Sequence, residues 1–179
     1  MGAVALTGTP GTGKTEVALR LSGSLRTIEV GELAEGWGTG RHRARGWQVD
    51  LAATARLWRA RKVPPAEVVV GHLSHLLPVR DVIVLRCHPR ELERRLRRSR
   101  RHTVAERHEN LVVEATDGIL LEAVGLRRRI WEVDTTGRSP AAVAREVAHR
   151  IRVRGPSSYG KVDWLSDAWV SEHLLDWSP

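Results

Sequence analysis

Short apolar runs alternate with amphipathic stretches along most of the 179 residues. Runs of β-branched and apolar residues predict buried strands, at residues 3–7, 25–30, 67–71, 81–87 and 129–133. Apolar residues spaced three and four positions apart predict helices, at residues 14–22, 51–61, 89–98, 110–124 and 139–152, with one further turn near 32–35. This alternation predicts an α/β fold of three layers, αβα, in which helices cover both faces of a central parallel five-stranded sheet.

Two segments depart from the alternation. Residues 36–46 are rich in glycine and arginine and have no periodicity, which predicts a mobile loop. Residues 155–158 read Gly-Pro-Ser-Ser, and an acidic, tryptophan-bearing segment follows them. We therefore predict one domain over residues 1–152 and a C-terminal tail over residues 153–179. The tail could pack on the domain, bind a partner or exchange between subunits, and simple packing is the expectation.

A glycine-rich string stands between the first predicted strand and the first predicted helix. Residues 8–15 read Gly-Thr-Pro-Gly-Thr-Gly-Lys-Thr and match the P-loop pattern G-x-x-x-x-G-K-[ST] in full. Glycines let backbone N–H groups surround a phosphate, and the helix start adds partial positive charge. We expect Lys14 to reach the β- and γ-phosphates and Thr15 to hold Mg²⁺. The ATP contacts expected from this segment are Gly11, Gly13, Lys14, Thr15 and Glu16. No N-K-x-D guanine motif occurs, which favours ATP over GTP.

Composition and charge indicate which partners and which cellular location to expect. The net charge is +8, and arginine carries most of it because the chain has only three lysines. Arginine binds phosphates through its planar fork, so the charge suits nucleotide or RNA partners. Cys87 is the single cysteine, which excludes an internal disulfide. No apolar run approaches the roughly 18 to 20 residues of a membrane span, and no signal-peptide pattern is visible. The expectation is a cytoplasmic protein with no membrane partner.

Residues 7–15 resemble the opening of the adenylate kinase isoenzyme 6 family. Three later segments are similar to the archaeal branch of that family. They are residues 71–78 (Gly-His-Leu-Ser-His-Leu-Leu-Pro) with the strand 82–87, the pair Glu109-Asn110 after an arginine run, and residues 133–140. The segments occur in the family's order and span about residues 3–152.

This resemblance implies a nucleoside monophosphate (NMP) kinase fold with an NMP-binding region over about 29–50 and a lid over about 99–109. It implies transfer of the γ-phosphate of ATP to AMP or another monophosphate, together with ATPase activity. It also implies assistance in maturing the small ribosomal subunit, through a small-subunit ribosomal protein and 16S rRNA. Two alternatives stay open: an assembly ATPase with vestigial kinase activity, and a nucleotide-gated RNA- or protein-binding module with negligible turnover. The oligomeric state is open.

Site residues follow from the same resemblance. His72 is expected near the acceptor phosphate or attacking water, Arg100 at the ATP phosphates and Arg138 at the adenine. In the NMP-binding region, Arg41 and Arg43 stand where the family has carboxylates and could hold the monophosphate or RNA. Asp50, near the end of that region, could organise Mg²⁺ or the acceptor monophosphate. With Lys14, the expected catalytic residues are His72 and Arg100.

Each of these residues has a structural alternative. The arginine run around Arg100 could be a solvated helix face, and His72 could be a structural histidine at a strand end. Arg86 could contact phosphate or be a buried ion-pair partner.

The chain also departs from the family pattern. Val70 stands where the family carries an acidic residue two positions before the histidine, as a partner for the metal. Arg101 and His102 stand where the family often has Gly-Tyr. Because Mg²⁺ keeps several waters and needs few protein ligands, Thr15 and phosphate oxygens could suffice. Loss of the acid could also mean slow turnover.

Overall fold

The computed structural model describes residues 2–43, 46–60 and 67–177, and the side chains of residues 42, 43, 46 and 47 lie outside that description. The strands are β1 (Val4–Thr7), β2 (Thr27–Glu29), β3 (Gly40–Arg43), β4 (Gly46–Val49), β5 (Val68–Val70), β6 (Asp81–Arg86) and β7 (Arg129–Asp134). The α-helices are α1 (Lys14–Leu21), α2 (Val30–Gly36), α3 (Leu51–Ala60), α4 (Pro89–Ser99), α5 (Val104–Ala115), α6 (Gly118–Gly125), α7 (Pro140–Val153) and α8 (Ala168–Trp177).

Five parallel strands form the central sheet, in the order β2-β5-β1-β6-β7. The strands β1, β5 and β6 are buried along their whole length, as expected for a parallel sheet covered on both faces. One apolar cluster packs α1 and α7 on the first face, and a second packs α2, α3 and α6 on the other. The predicted three-layer αβα fold is therefore confirmed.

A β-hairpin occupies part of the segment predicted to be a mobile loop. The strands β3 and β4 pair antiparallel, with Gly40 opposite Val49 and Arg43 opposite Gly46. Its base is fixed by Thr39, whose carbonyl accepts from the Asp50 N–H at 2.8 Å and whose hydroxyl lies 2.7 Å from the buried Thr54 hydroxyl. The loop prediction was wrong because backbone pairing orders this polar segment without an apolar alternation.

The predicted helix over 110–124 is in fact two helices, α5 and α6. Asp117 separates them in a left-handed conformation with φ 59°. Its carboxylate pairs with the buried guanidinium of Arg86 on β6. The apolar periodicity continues across the break, so the pattern alone predicted one helix. A tertiary ion pair ends α5 there.

The segment after α7 packs on the domain. The indole N–H of Trp131 donates to the Pro156 carbonyl at 2.8 Å, and Ser158 forms a parallel bridge beside the same tryptophan. Farther on, Val170 and Trp177 of α8 join an apolar cluster with α4 and α5. Within the described ranges, no helix combines the length and apolar character that a membrane span requires.

Candidate active site

The phosphate loop lies at the carboxyl end of β1, between β1 and α1. Gly8, Gly11 and Gly13 have φ of 138°, 91° and 95°, a region that side chains other than glycine rarely adopt. A Cβ at Gly8 would also lie 2.4 Å from the Leu85 carbonyl oxygen. The loop therefore requires glycine at these positions, and it turns backbone N–H groups toward the start of α1.

Lys14 is folded back over this loop. Its ammonium donates to the carbonyls of Gly8 at 2.7 Å and Thr9 at 3.0 Å. Burial lowers the pKa of Lys14 to about 8, against the opposing attraction of Glu114 and Glu29. The ammonium is therefore held in a poorly solvated position where a phosphate would stabilise its charge.

Thr15 lies in the first turn of α1, beside the carboxylate of Glu29 from β2. Its hydroxyl donates to Glu29 at 3.4 Å, and Glu29 is the last residue of β2. Burial raises the pKa of the Glu29 carboxyl. A hydroxyl and a carboxylate are hard oxygen donors of the kind Mg²⁺ prefers. Sequence reasoning placed Glu29 only at the start of the NMP-binding region, although an acid at the carboxyl end of a parallel strand was a usable signal.

His72 follows β5 at the same edge of the sheet. Burial, and then the charge of Lys14, lower the pKa of His72. The imidazole is therefore neutral near pH 7 and can donate or accept a hydrogen bond. His75 is fully buried, 2.9 Å from the Thr7 hydroxyl and 3.0 Å from a Glu122 oxygen, so its contacts fix the turn that carries His72.

In the described part of the chain, cavities lie beside the phosphate loop and beside the neighbouring end of β5. The first, of about 330 Å³, lies beside Gly11, Gly13, Glu16 and Arg138, where Arg138 also pairs with Glu146 at 2.8 Å. The second, of about 450 Å³, lies between β5, the start of α2 and the base of the hairpin. Both volumes fall within the roughly 300 to 1,000 Å³ of ligand sites.

The third cavity connects the first two over the phosphate loop. It shares Gly11, Gly13 and Glu16 with the first cavity. It shares Glu29, Gly71 and His72 with the second. Lys14 and Thr15 therefore lie at a cavity that borders both outer ones, and His72 and Glu29 lie where it borders the second.

Arginines approach this central cavity from α4. Arg95 donates to the Thr135 carbonyl at 3.1 Å and pairs with Glu91, and it lines both the first and third cavities. Arg101 and His102 line the third cavity as well. Arg100 is exposed at the end of α4 in a left-handed conformation with φ 52°, and it is not among the lining residues. Arg95 belongs to the arginine run of α4, and the spacing of the run alone cannot show which arginine faces the phosphate loop.

Arg41 and Asp50, two of the residues expected to hold the monophosphate, do not line the second cavity. The Asp50 carboxylate accepts from the Ala53 N–H at 2.8 Å and so caps the first turn of α3. Arg41 is exposed on β3, and the side chain of Arg43 lies outside the described residues. Instead, Gln48, Val49 and Leu51 line the second cavity.

The structure resolves the two alternatives for Arg86 in favour of the buried ion-pair partner. Its guanidinium is 2% exposed and contacts Glu114 at 2.8 Å and Glu132 at 2.6 Å, besides Asp117. Four of its five N–H donors are used by Glu114, Glu132 and Asp117, and Arg86 lines none of the three cavities. Val70 is buried in the apolar cluster under α1, so β5 carries no acid at this edge.

Known proteins match the chain over most of its length. A family model described as "AAA domain" matches residues 4–117. A protein of Thermococcus onnurineus named "Putative adenylate kinase" is 37% identical over 166 residues, which cover 92% of each chain. A protein of the same name from Methanothermobacter thermautotrophicus is 40% identical over 90% of this chain and 98% of its own.

Solved structures agree on the fold. A gluconokinase from Sinorhizobium meliloti 1021 superposes with a TM-score of 0.51 at 17% identity, over 86% of this chain and 93% of its own. An uncharacterized protein from Eubacterium ventriosum superposes with a TM-score of 0.54 at 10% identity, over 85% of this chain and 98% of its own. At these identities the likeness concerns the fold alone.

The sheet order, the phosphate loop and the cavities around it define a P-loop protein of the kinase fold. Within that class, the chain belongs to the AAA domain family matched over residues 4–117 and to the family of the archaeal proteins named "Putative adenylate kinase". The resemblance noted in the sequence is thereby confirmed.

Proposed function

We propose that the protein is an adenylate kinase that transfers the γ-phosphate of ATP to AMP or a related nucleoside monophosphate. The observation that carries this proposal is a central cavity above Lys14 that shares Gly11, Gly13 and Glu16 with the first cavity and Glu29, Gly71 and His72 with the second. A donor nucleotide in the first cavity and an acceptor in the second would bring their phosphates together there. The names of the archaeal relatives support the same activity.

The reaction breaks one bond and makes one. A phosphate oxygen of the acceptor attacks the γ-phosphorus of ATP, the bond to the β,γ-bridging oxygen breaks, and ADP leaves as the phosphoryl group becomes part of a second ADP. Such transfers depend on alignment and charge neutralisation more than on covalent help from the protein. Lys14 supplies charge at the β- and γ-phosphates, and the loop N–H groups hold them in place.

The remaining residues position the two nucleotides. Arg95 is held by Thr135 and Glu91. It borders both the donor cavity and the cavity over the phosphate loop, so it would lie between the base and the phosphates of ATP. Arg138 lines the donor cavity, and the neutral His72, which lines both the second and the third cavity, is placed to hydrogen-bond an acceptor phosphate oxygen. Arg100 would reach the ATP phosphates if the predicted lid, about residues 99–109, closes over the phosphate loop.

The donor set fits Mg²⁺. Thr15 is the second residue of α1, after Lys14, and its hydroxyl lies beside the Glu29 carboxylate, so both offer oxygen donors. When bound, the ion would neutralise charge on the β- and γ-phosphates. The protein's own part is to offer the Thr15 oxygen and to keep Lys14 on the phosphates.

ADP formation from Mg-ATP with and without AMP tests the proposal. AMP should stimulate ADP formation strongly, and Lys14→Ala should abolish it together with ATP hydrolysis. ATP hydrolysis indifferent to AMP would favour an assembly ATPase. Nucleotide binding without turnover would favour a nucleotide-gated binding module.

A basic surface supports a second role, in maturation of the small ribosomal subunit through 16S rRNA and a small-subunit ribosomal protein. Exposed arginines lie along α4 and just after it, beside the phosphate cavity: Arg90, Arg94, Arg97, Arg98, Arg100 and Arg101. Such a surface suits a phosphate backbone. A 16S rRNA fragment should bind at least about tenfold more weakly to the triple variant Arg94→Glu, Arg97→Glu, Arg98→Glu than to the wild type. Charge reversal at the exposed Arg145 and Arg152 of α7 is the matched control.

A further inference from the structure

The Glu29 carboxylate stands on the α1 side of the sheet. In the parallel ladders, Glu29 pairs in register with Val70, and Val70 pairs with Leu6. Residues in register across a sheet present their side chains on one face. Val70 and Leu6 belong to the apolar cluster under α1, so Glu29 is directed to the same side, where it reaches the Thr15 hydroxyl.

Two carboxylates line the phosphate cavity in the described part of the chain, Glu16 and Glu29. Glu16 is paired with Arg20 at 2.9 Å on the outer face of α1. Glu29 has no ion pair within the described ranges, and its side chain accepts from the Thr15 hydroxyl and from the backbone N–H of Glu32. Of the two, Glu29 is therefore the carboxylate left to interact with a cation at the phosphates.

We propose that Glu29 is the acidic partner of the nucleotide-bound Mg²⁺ in this chain, one strand over from Val70, where β5 has no acid. This inference rests on the proposed function. The Thr15 hydroxyl donates its hydrogen bond to Glu29, so its lone pairs stay available to the ion. The carboxylate accepts hydrogen bonds from the waters that Mg²⁺ retains, which holds and orients the hydrated ion.

Glu29 also precedes α2, so a capping role must be separated from a metal role. Its backbone N–H donates to the Glu32 carboxylate at 3.4 Å, as in a capping box. Capping needs a side-chain oxygen, which glutamine keeps. Holding a cation's water shell needs the negative charge, which glutamine lacks. Glu29→Gln therefore distinguishes the two roles.

Manganese binding measures the metal role without turnover. Free Mn²⁺ is titrated by electron paramagnetic resonance against the protein saturated with ADP, and ADP affinity is measured separately in EDTA. In Glu29→Gln the Kd for Mn²⁺ should rise about tenfold, while metal-free ADP affinity stays equal or improves because a negative charge has left. Glu35→Gln, which removes an exposed carboxylate of α2 that lines none of the three cavities, is the control and should keep the Kd within about twofold. Glu29→Asp, which keeps the charge, should lose less than Glu29→Gln.

The other outcomes distinguish failure of the metal role of Glu29 from failure of the proposed function. Unchanged Mn²⁺ affinity in Glu29→Gln, or an equal loss of metal-free ADP binding, overturns the metal role. A wild type that binds neither ADP nor Mn²⁺·ADP contradicts the proposed function itself. Circular dichroism establishes that each variant is folded. If Glu29→Gln fails to fold, an undiminished Mn²⁺ affinity in the folded Glu29→Asp, with its shorter side chain, counts against the proposal.

Discussion

The Thr9 hydroxyl donates a 2.5 Å hydrogen bond to the Glu114 carboxylate, which joins the phosphate loop to a helix 105 positions later. The same carboxylate accepts from Arg86 at 2.8 Å and from the Trp164 indole N–H at 3.2 Å. One buried acid therefore connects the loop, the central sheet and the tail. The tail is part of the support of the phosphate loop.

Glu114→Gln should lower the free energy of unfolding by about 3 kcal/mol, since it removes one partner of a buried ion pair. Urea denaturation measures this change. Glu93→Gln, which breaks the exposed pair between Glu93 and Arg97, is the control and should cost less than about 0.5 kcal/mol. Equal effects of the two substitutions would contradict a supporting role for Glu114.

ATP affinity should fall above pH 8 because Lys14 has a pKa of about 8 in the free protein. Phosphates favour the protonated lysine, so binding above that pH requires uptake of a proton, and affinity weakens as pH rises. Titrations from pH 7 to pH 9.5 measure the effect. Adenosine, which has no phosphates, should bind with a flat pH profile. A flat profile for ATP would show that Lys14 does not contact its phosphates.

The same lowered pKa predicts the pH dependence of stability. The pKa of Lys14 is 10.5 in its ordinary state and about 8 when folded, so the unfolded chain binds more protons between these values. The contribution of Lys14 to stability should therefore rise with pH across that window. The difference in unfolding free energy between wild type and Lys14→Met, followed across the window, checks the sign.

His72→Ala should lower kcat about 100-fold while the Kd for ATP changes little. The reason is that His72 lines both the acceptor cavity and the cavity over the phosphate loop. Steady-state kinetics with both nucleotides varied, together with equilibrium ATP binding, separates the two effects. His149→Ala, at an exposed position on α7, is the control. A loss confined to ATP affinity would remove His72 from the reaction.

Arg95→Ala should weaken ATP binding by about 10- to 100-fold, the range expected for loss of charged hydrogen bonds. Arg95 connects α4 to Thr135 and borders both the donor and phosphate cavities. Fluorescence titration measures the affinity. Arg97→Ala removes an arginine of the same helix that points into solvent and should have no effect. Equal losses in both variants would indicate a general effect of charge.

Local patterns predicted most of the fold and the phosphate loop. The strand β1, the glycines of the loop and the Ser139 cap of α7 follow from neighbouring residues, so the sequence was sufficient. The break at Asp117 depends on Arg86, 31 positions away. The approach of Glu29 to Thr15 depends on β2 pairing beyond β5. Such features depend on strand order and long-range ion pairs, which periodicity does not encode.

The fate of the γ-phosphate distinguishes phosphoryl transfer to AMP from hydrolysis of ATP. ATP labelled at the γ-phosphorus is incubated with the protein, Mg²⁺ and excess AMP, and the early products are separated. If the protein is an adenylate kinase, nearly all of the label should appear in ADP, formed from AMP, and little in inorganic phosphate. Label released as inorganic phosphate at the same rate with and without AMP would contradict phosphoryl transfer to a nucleotide.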